Sequence, residues 1–430
     1  MSAVAINDSV RAAIARDGAA TILVRCKAIA ACTDKHGEIL RTFLSPAMEE
    51  VHQRMRPWFE AAGMTVNVDR VGNFRAFYLS AADTDSACLL IGSHLDTVPN
   101  AGAYDGVLGV LMGLALVEAL GGRRLPYSIE VIGFSDEEGT RFGVPFIGSQ
   151  ALVNRLDDAL LNCKDANGIM VGEALTRYRA KHPKAVESSL VQNTKAYIEF
   201  HIEQGPVLES KDMALGVVEA LAGQRRCRLV FHGSPGHAGT TPMMLRRDAL
   251  AAAAEWITRV EMIASEFEGL VATVGQVFVE PGGVNVIPGV TRCSLDVRHA
   301  DDVVCRKALE AILNEARVTT TRRGLTVDTA EYHTQPAVHL NPTMVALAEN
   351  SVRQAGYSFL RMTSGAGHDA MVIAPHLPSA MLFLRSPGGI SHHPDESVLK
   401  SDVAAAIHAG LCFLDNVASF LNDNGGDLRA

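Results

Sequence analysis

Short continuous apolar runs at residues 87–92, 129–134 and 197–200 have the length of buried strands, and helical patterns lie between them. That alternation predicts a mostly parallel sheet covered by helices on both faces. The same grammar returns after residue 330, where 342–355 predicts a helix, 379–384 a buried strand, and 401–421 a closing helix with Ser401 as its N-cap. Between these stretches the period changes. Cys227, Leu229 and Phe231 alternate with Arg226, Arg228 and His232, which predicts a strand with one wet face. An amphipathic helix follows, with Leu245, Ala249, Trp256, Val260, Ile263 and Phe267 on one stripe, then strands near 270–279 and 290–298. A second helix, capped by Asp301 and buried through Val304, Ala308, Ile312 and Leu313, precedes a strand near 325–331. The order β-α-β-β-α-β is the split βαβ, ferredoxin-like arrangement. The expected fold is therefore an α/β domain of residues 1–213 and 330–430, interrupted by an inserted α+β domain of residues 214–329.

Length and charge are consistent with this division and remove several functions. At roughly 150 residues per domain, 430 residues predict two or three domains. Thirty-nine Lys+Arg against 48 Asp+Glu leave a net charge of −9, so no nucleic-acid or anionic-membrane partner is expected. The longest nearly uncharged stretch, 106–120, is too short for a bilayer span and suits a buried helix. Met1 to Gly18 mixes Asp, Arg and Asn with small apolar residues and has no signal-peptide pattern, so a cytoplasmic location is expected. The eight cysteines contain no C-x-x-C pair and are expected to be reduced core thiols.

Ligands of open parallel sheets sit at the carboxyl ends of the strands, so the residues that follow each apolar run carry the chemistry. The run ending at Ser93 leads into His94-Leu95-Asp96, and the one ending at Ser135 into Asp136-Glu137-Glu138-Gly139. The third leads into His201-Ile202-Glu203-Gln204-Gly205, and the last into Ser391-His392-His393. Asp105 joins them from the loop before the long buried helix. A single histidine after a strand is ordinarily a satisfied polar residue; repetition at four strand ends points to a metal. Imidazoles and carboxylates at one rim suit zinc or manganese. A carboxylate on a tight loop can bridge two such ions. Asp105, Glu137 and Glu138 would repel one another there without a cation.

The ordered motifs Gly92-Ser93-His94-Leu95-Asp96-Thr97, Tyr104-Asp105-Gly106, Asp136-Glu137-Glu138-Gly139, His201-Ile202-Glu203-Gln204-Gly205, His237-Ala238-Gly239-Thr240-Thr241-Pro242 and Gly389-Ile390-Ser391-His392 span nearly the whole chain. They resemble the amidase/hydantoinase/carbamoylase branch of the dimetal aminoacylase and carboxypeptidase superfamily. Arg41-Thr42-Phe43-Leu44-Ser45-Pro46 and Gly133-Phe134-Ser135-Asp136-Glu137-Glu138-Gly139 look most like the allantoate amidohydrolases of that branch. The resemblance implies two divalent metal ions per subunit, one held by His94 and His201, the other by Glu138 and His392, with Asp105 bridging. It implies Glu137 as general base and Asp96 as the residue fixing an imidazole tautomer. Only one of His392 and His393 can point into the site, and the motif favours His392 over the reverse assignment.

The resemblance further assigns substrate binding to His237, Asn285 and Arg298 of the inserted domain. Arg and Asn would hold a carboxylate and His237 an oxyanion, commonly across a dimer, so a homodimer through that domain is expected. Gln204 would present an amide to substrate; Gly367 would permit close approach, and His368 would bind substrate or orient a ligand. Asp69-Arg70-Val71-Gly72-Asn73 is expected to be a turn with a structural task. The implied activity is hydrolysis of a ureido C–N bond beside a carboxylate in a small anionic substrate, with allantoate ahead of N-carbamoyl-L-amino acids or β-ureidopropionate. A dipeptidase or aminoacylase is disfavoured by His201. A non-catalytic metal-binding protein on the same fold would have no use for Glu137 beside a ligand at Glu138.

Overall fold

The computed structural model describes residues 8–81 and 86–423. Of the opening stretch read for a leader, residues 1–7 lie outside the described residues and the remainder forms helix α1 (Asp8–Ala30). After it come α2 (Pro46–Ala61), β1 (Thr65–Val68), β2 (Phe74–Tyr78), β3 (Cys88–His94), α3 (Val107–Ala119), β4 (Ser128–Phe134), β5 (Thr194–Ile202) and β6 (Leu215–Leu221). The middle of the chain forms β7 (Gly223–His232), β8 (Gly236–His237), α4 (Ala249–Ser265), β9 (Val271–Thr273), β10 (Val277–Glu280), β11 (Val286–Ile287), β12 (Val290–His299), α5 (Asp302–Arg323), β13 (Thr326–Gln335) and β14 (Val338–His339). The last segment holds α6 (Pro342–Gln354), β15 (Phe359–Ser364), β16 (Ser379–Leu384) and α7 (Lys400–Asp423).

These elements form two compact units, Met1–Glu219 with Leu340–Ala430, and Ala220–His339. The chain leaves the first unit later than the change of hydrophobic period suggests, because β6 still pairs with β16 of the large sheet. In the first unit the strand order is β1-β2-β4-β3-β5-β16-β6, with β15 also on β6. Only the centre is parallel: β3 pairs in parallel with β4 and β5, and β5 with β16. Both flanks are antiparallel, β1 on β2, β2 on β4 and β6 on β16, so the sheet is mixed rather than mostly parallel. The crossover direction reverses between β3 and β5, which creates a crevice at their carboxyl ends.

Helix α3 lies on the central strands β3, β4 and β5, and α1 and α7 pack against α3, so it is buried on all sides. Its composition follows: twelve of its residues are buried, and Gly109 and Gly113 let it approach the strands closely. Helix α7 is long and apolar enough to cross a membrane, but 72% of its apolar window is buried inside the protein, as in a core helix. It begins at Lys400, so Ser401 is inside the helix rather than its cap, and its hydroxyl bonds Asp402 instead. Helix α6 carries a clearer signal, Asn341 accepting from the Met344 amide with Pro342 in the first turn.

In the inserted unit the order is β10-β12-β7-β13, antiparallel throughout, with β9 also on β12. The strand expected near 270–279 is two pieces, because the register slips by one residue near Gly275 between Thr273↔Asp296 and Val277↔Cys293. The apolar faces of α4 and α5 close over Cys227, Leu229, Phe231, Leu295 and Val297, with Trp256 at the centre donating to the Ile312 carbonyl at 3.1 Å. Asp301 caps α5 through the amides of Val303 and Val304. Leu245 departs from the expected stripe: it lies in a 3-10 turn before α4 and is 68% exposed.

Candidate active site

The parallel strands aim their last residues at one rim. His94 ends β3, and His201 lies one residue before the end of β5. Each imidazole turns Nδ1 to a backbone carbonyl, His94 to Asp96 O at 3.1 Å and His201 to Ile202 O at 2.9 Å. A proton on Nδ1 satisfies those carbonyls and leaves Nε2 as a lone pair facing the rim. The two Nε2 atoms are 3.3 Å apart, and Asp105 Oδ1 lies 3.4 Å from His94 Nε2 and 3.2 Å from His201 Nε2. The other oxygen, Oδ2, is 3.3 Å from His392 Nε2, which is 3.4 Å from Glu138 Oε1. Asp105 thus presents one oxygen to His94 and His201 and the other to the His392–Glu138 side.

Three lone-pair atoms converging in a buried place repel unless positive charge lies among them. The titration tendencies express the same demand. Burial opposes charge on His94 and His201, yet the hydrogen-bonding carboxylate of Asp105 holds both above the ordinary imidazole range. Burial also opposes charge on Asp105, and its contacts to His201, His392 and His94 hold it well below the usual carboxylate range. Glu138 is pushed up to about 7 by burial and by the Asp105 charge. His94, Asp105 and His201 have ligand atoms close enough to hold one ion, as do Asp105, Glu138 and His392. The donor set fits two divalent cations.

Glu137 joins His94 and Glu138 in a further group. It is 7% exposed, and its carboxylate makes no hydrogen bond among the described residues. Burial raises it well above the usual range, aided by Glu138, Asp369 and Asp96. Asp96 meets His94 Nδ1 through its carbonyl, and its carboxylate takes a second task. Its carboxylate is 3.6 Å from His94 Nδ1, and it accepts instead from the amides of Glu137 at 2.9 Å and Glu138 at 3.0 Å. The acidic loop is pinned from the other side by Asp69-Arg70-Val71-Gly72-Asn73. Asp69 accepts the amides of Val71 and Asn73, and Asn73 Oδ1 accepts the amide of Ser135.

His392 sits in the left-handed backbone region at φ 55° and leaves 48% of its side chain exposed, whereas His393 turns to the Asp395 amide. Gln204, also left-handed, donates through Nε2 to Asp105 Oδ2 at 2.9 Å and lies 3.4 Å from His392 Nε2. His368 is buried behind His201, ring centroids 4.4 Å apart, and bonds Ser364 Oγ at 3.0 Å; at 1% exposed it faces the His201 imidazole rather than the rim. A side chain at Gly367 would press on Phe146 at 3.0 Å.

Within the inserted unit the three expected residues do not form one cluster. His237 in β8 pairs with Val286 in β11, and the Asn285 carbonyl accepts from the Ala238 amide, so His237 and Asn285 are neighbours. Arg298 is at the other end of the sheet, opposite Gln224, whereas Val290 at the His237 end is opposite His232. At 3.3 Å per residue along β12, that is about 26 Å. Arg298 forms a two-pronged pair with Asp296, at 2.9 and 3.1 Å.

Several buried groups near the rim escape a local reading. Glu199 shares a face of β5 with Tyr197 and His201 and accepts from the Tyr197 hydroxyl at 2.9 Å and the Ala370 amide at 3.0 Å. Asp136 and Asp369 are buried carboxyls that burial holds well above their usual range. Arg41 is buried and donates to the Leu95 carbonyl at 2.8 Å, bracing the segment after His94. Glu396 accepts the amides of Tyr104 and Asp105. A glutamate or aspartate inside a strand-like apolar run, as at Glu199, was the available signal.

A mixed α/β sheet whose central strands bring imidazoles and carboxylates together in this way defines a metal-dependent hydrolase. The chain belongs to peptidase family M20/M25/M40, whose sequence profile matches residues 90–416. It is 36% identical over 432 residues to a probable allantoate deiminase of Oryza sativa subsp. japonica, covering 92% of this chain and 88% of that protein. It is 36% identical over 371 residues to the N-carbamoyl-L-amino acid amidohydrolase of Geobacillus stearothermophilus, covering 86% and 90%. A solved amidase of the hydantoinase/carbamoylase family from Burkholderia multivorans superimposes with a TM-score of 0.87 at 31% identity, covering 93% of this chain and 97% of the other.

Proposed function

We propose that this chain hydrolyses the ureido C–N bond of a small carboxylate-bearing molecule, with allantoate as substrate and ureidoglycine, ammonia and carbon dioxide as products. The observation that carries the proposal is the convergence of the His94, His201 and Asp105 lone pairs on one side, and of Asp105, His392 and Glu138 on the other, beside the unengaged carboxylate of Glu137. The nitrogen and oxygen donors suit zinc or manganese, His94 and His201 holding one ion, Glu138 and His392 the other, and Asp105 both. Bound there, the ions would polarise the carbonyl and acidify the attacking water. Glu137 takes a proton from that water and returns it to the departing nitrogen. Asp96 holds Glu137 and Glu138 in place through their amides. Breakdown of the carbamate then releases ammonia and carbon dioxide.

N-carbamoyl-L-amino acids are the second substrate class, because a relative of equal identity is named for them. The separation of Arg298 from His237 and Asn285 supports a homodimer. One small substrate cannot touch both ends of a sheet about 26 Å long, so Arg298 of one copy would meet His237 and Asn285 of the other. Exposed Met243, Met244 and Val284 near His237 and Asn285, and exposed Phe278 on edge strand β10, give that unit apolar surface to bury. All eight cysteines are free and seven are buried, which suits a reducing cytoplasm.

The test is ammonia release from allantoate and from a series of N-carbamoyl-L-amino acids, with metal counted per chain. Glu137→Gln is expected to retain both metals and lose turnover by roughly a hundredfold or more; near-normal turnover would sink the assignment. Mixing inactive Glu137→Gln with inactive His237→Ala should restore activity if His237 acts across the dimer. No recovery in mixed dimers would exclude that arrangement.

A further inference from the structure

The carboxylates assigned so far leave Glu396 without a role, although it is 4% exposed and close to two ligand-bearing loops. Its Oε1 accepts the amides of Tyr104 at 2.9 Å and Asp105 at 3.0 Å, although the Asp105 amide is 291 residues away in sequence. Its Oε2 is 3.3 Å from the hydroxyl of Ser391, the residue before His392. That hydroxyl is in turn 3.3 Å from Asp105 Oδ2 and 3.2 Å from Gln204 Nε2. One carboxylate therefore grips the backbone of the loop that carries Asp105 and the side chain next to His392. Gly102 leaves the necessary space: a Cβ there would fall 2.4 Å from Glu396 Cβ and Oε1.

We propose that Glu396 is a positioning residue for the metal centre, a clasp that sets Asp105 and His392 at the spacing at which both can hold the same ion. The proposal rests on the two-metal reading above. Asp105 has to offer one oxygen to each side at once, and the backbone amides that Glu396 holds determine where that carboxylate starts. Outer partners of this kind alter metal affinity because coordination tolerates only small displacements of ligand atoms. A residue that merely stabilised the turn at 391–396 would change the melting of the metal-free protein and leave metal affinity of the folded chain untouched. Two variants separate the hydrogen-bond acceptor from its charge and from its position. Glu396→Gln keeps an acceptor oxygen for the two amides, and Gly102→Ala leaves Glu396 intact but pushes its carboxylate aside.

The experiment is a titration of the metal-stripped full chain with manganese or zinc against a chromophoric chelator, with circular dichroism to confirm folding. The parent is expected to bind two ions. Glu396→Ala and Gly102→Ala should each bind about 10–100-fold more weakly, while Glu396→Gln stays within a few-fold of the parent. Folded Glu396→Ala with parental affinity would overturn the proposal, and so would Glu396→Gln as weak as Glu396→Ala. Should Glu396→Ala fail to fold, Gly102→Ala decides alone, parental affinity refuting the clasp. A parent that binds no metal would instead overturn the two-metal reading itself.

Discussion

Gly109→Ala couples the packing of helix α3 to the metal centre. A Cβ at Gly109 would lie 2.1 Å from the Phe200 backbone oxygen and 2.7 Å from Ser93 Cβ. The nearest group is main chain of the central strand β5, so no side-chain rotation relieves the clash. Restoring an ordinary carbon–oxygen contact of about 3.2 Å requires α3 to move outward by about 1 Å. Overpacking of this kind costs ~1–3 kcal/mol, and alanine returns about 1 kcal/mol of helix propensity. With rigid backbone as the obstacle, a net loss of about 2 kcal/mol is expected, lowering the Tm of this large unit by about 3 °C. Asp105 is tied to the first turn, its carbonyl accepting the Val107 amide at 2.8 Å and that of Tyr104 accepting the Leu108 amide at 2.9 Å. The shift therefore carries the Asp105 carboxylate away from His94 and His201, and a 1 Å misplacement costs on the order of a hundredfold in rate. Calorimetry and steady-state ammonia release measure both effects. A variant with parental Tm and parental turnover would refute the close-packing account of α3.

The remaining predictions use other contacts. Gly18→Ala, where the added Cβ meets only the flexible Ile407 Cδ1 at 3.2 Å, should be neutral or stabilise by up to about 1 kcal/mol; a large drop in Tm would show that α1 cannot yield there. Asp96→Asn replaces one of two acceptor oxygens facing the Glu137 and Glu138 amides with a donor. Turnover should fall about 10–100-fold with less effect on metal content, because His94 Nδ1 rests on the Asp96 carbonyl; parental turnover would contradict the role. His52 is buried beside Phe74 and burial pulls its pKa down to about 4. The unfolded chain binds that proton near pH 6.5 and the native chain does not, so stability is full above 6.5 and falls toward pH 4, by roughly 3 kcal/mol. His52→Leu should remove that part of the acid sensitivity, and denaturant melts across pH 4–7 would reveal it.

What could be known from the sequence is local. Period-two and period-3.6 patterns separate the inserted sheet from the large one, Asp301 marks the start of α5, and an apolar run ending in a histidine or an acidic loop marks a strand end. Side-chain alternation and capping act over a few residues, so these features need no knowledge of the fold. The rim residues could be listed for the same reason, since parallel strands send their ends to one edge. Tertiary structure alone decided what depends on distant segments meeting. Asp96 serves the amides of Glu137 and Glu138 because β3 and β4 are parallel neighbours. His368 is sealed behind His201, and Glu396 reaches the Asp105 loop from 291 residues away. Arg298 is parted from His237 and Asn285 by the length of β12, since an extended strand carries its ends apart however similar their chemistry.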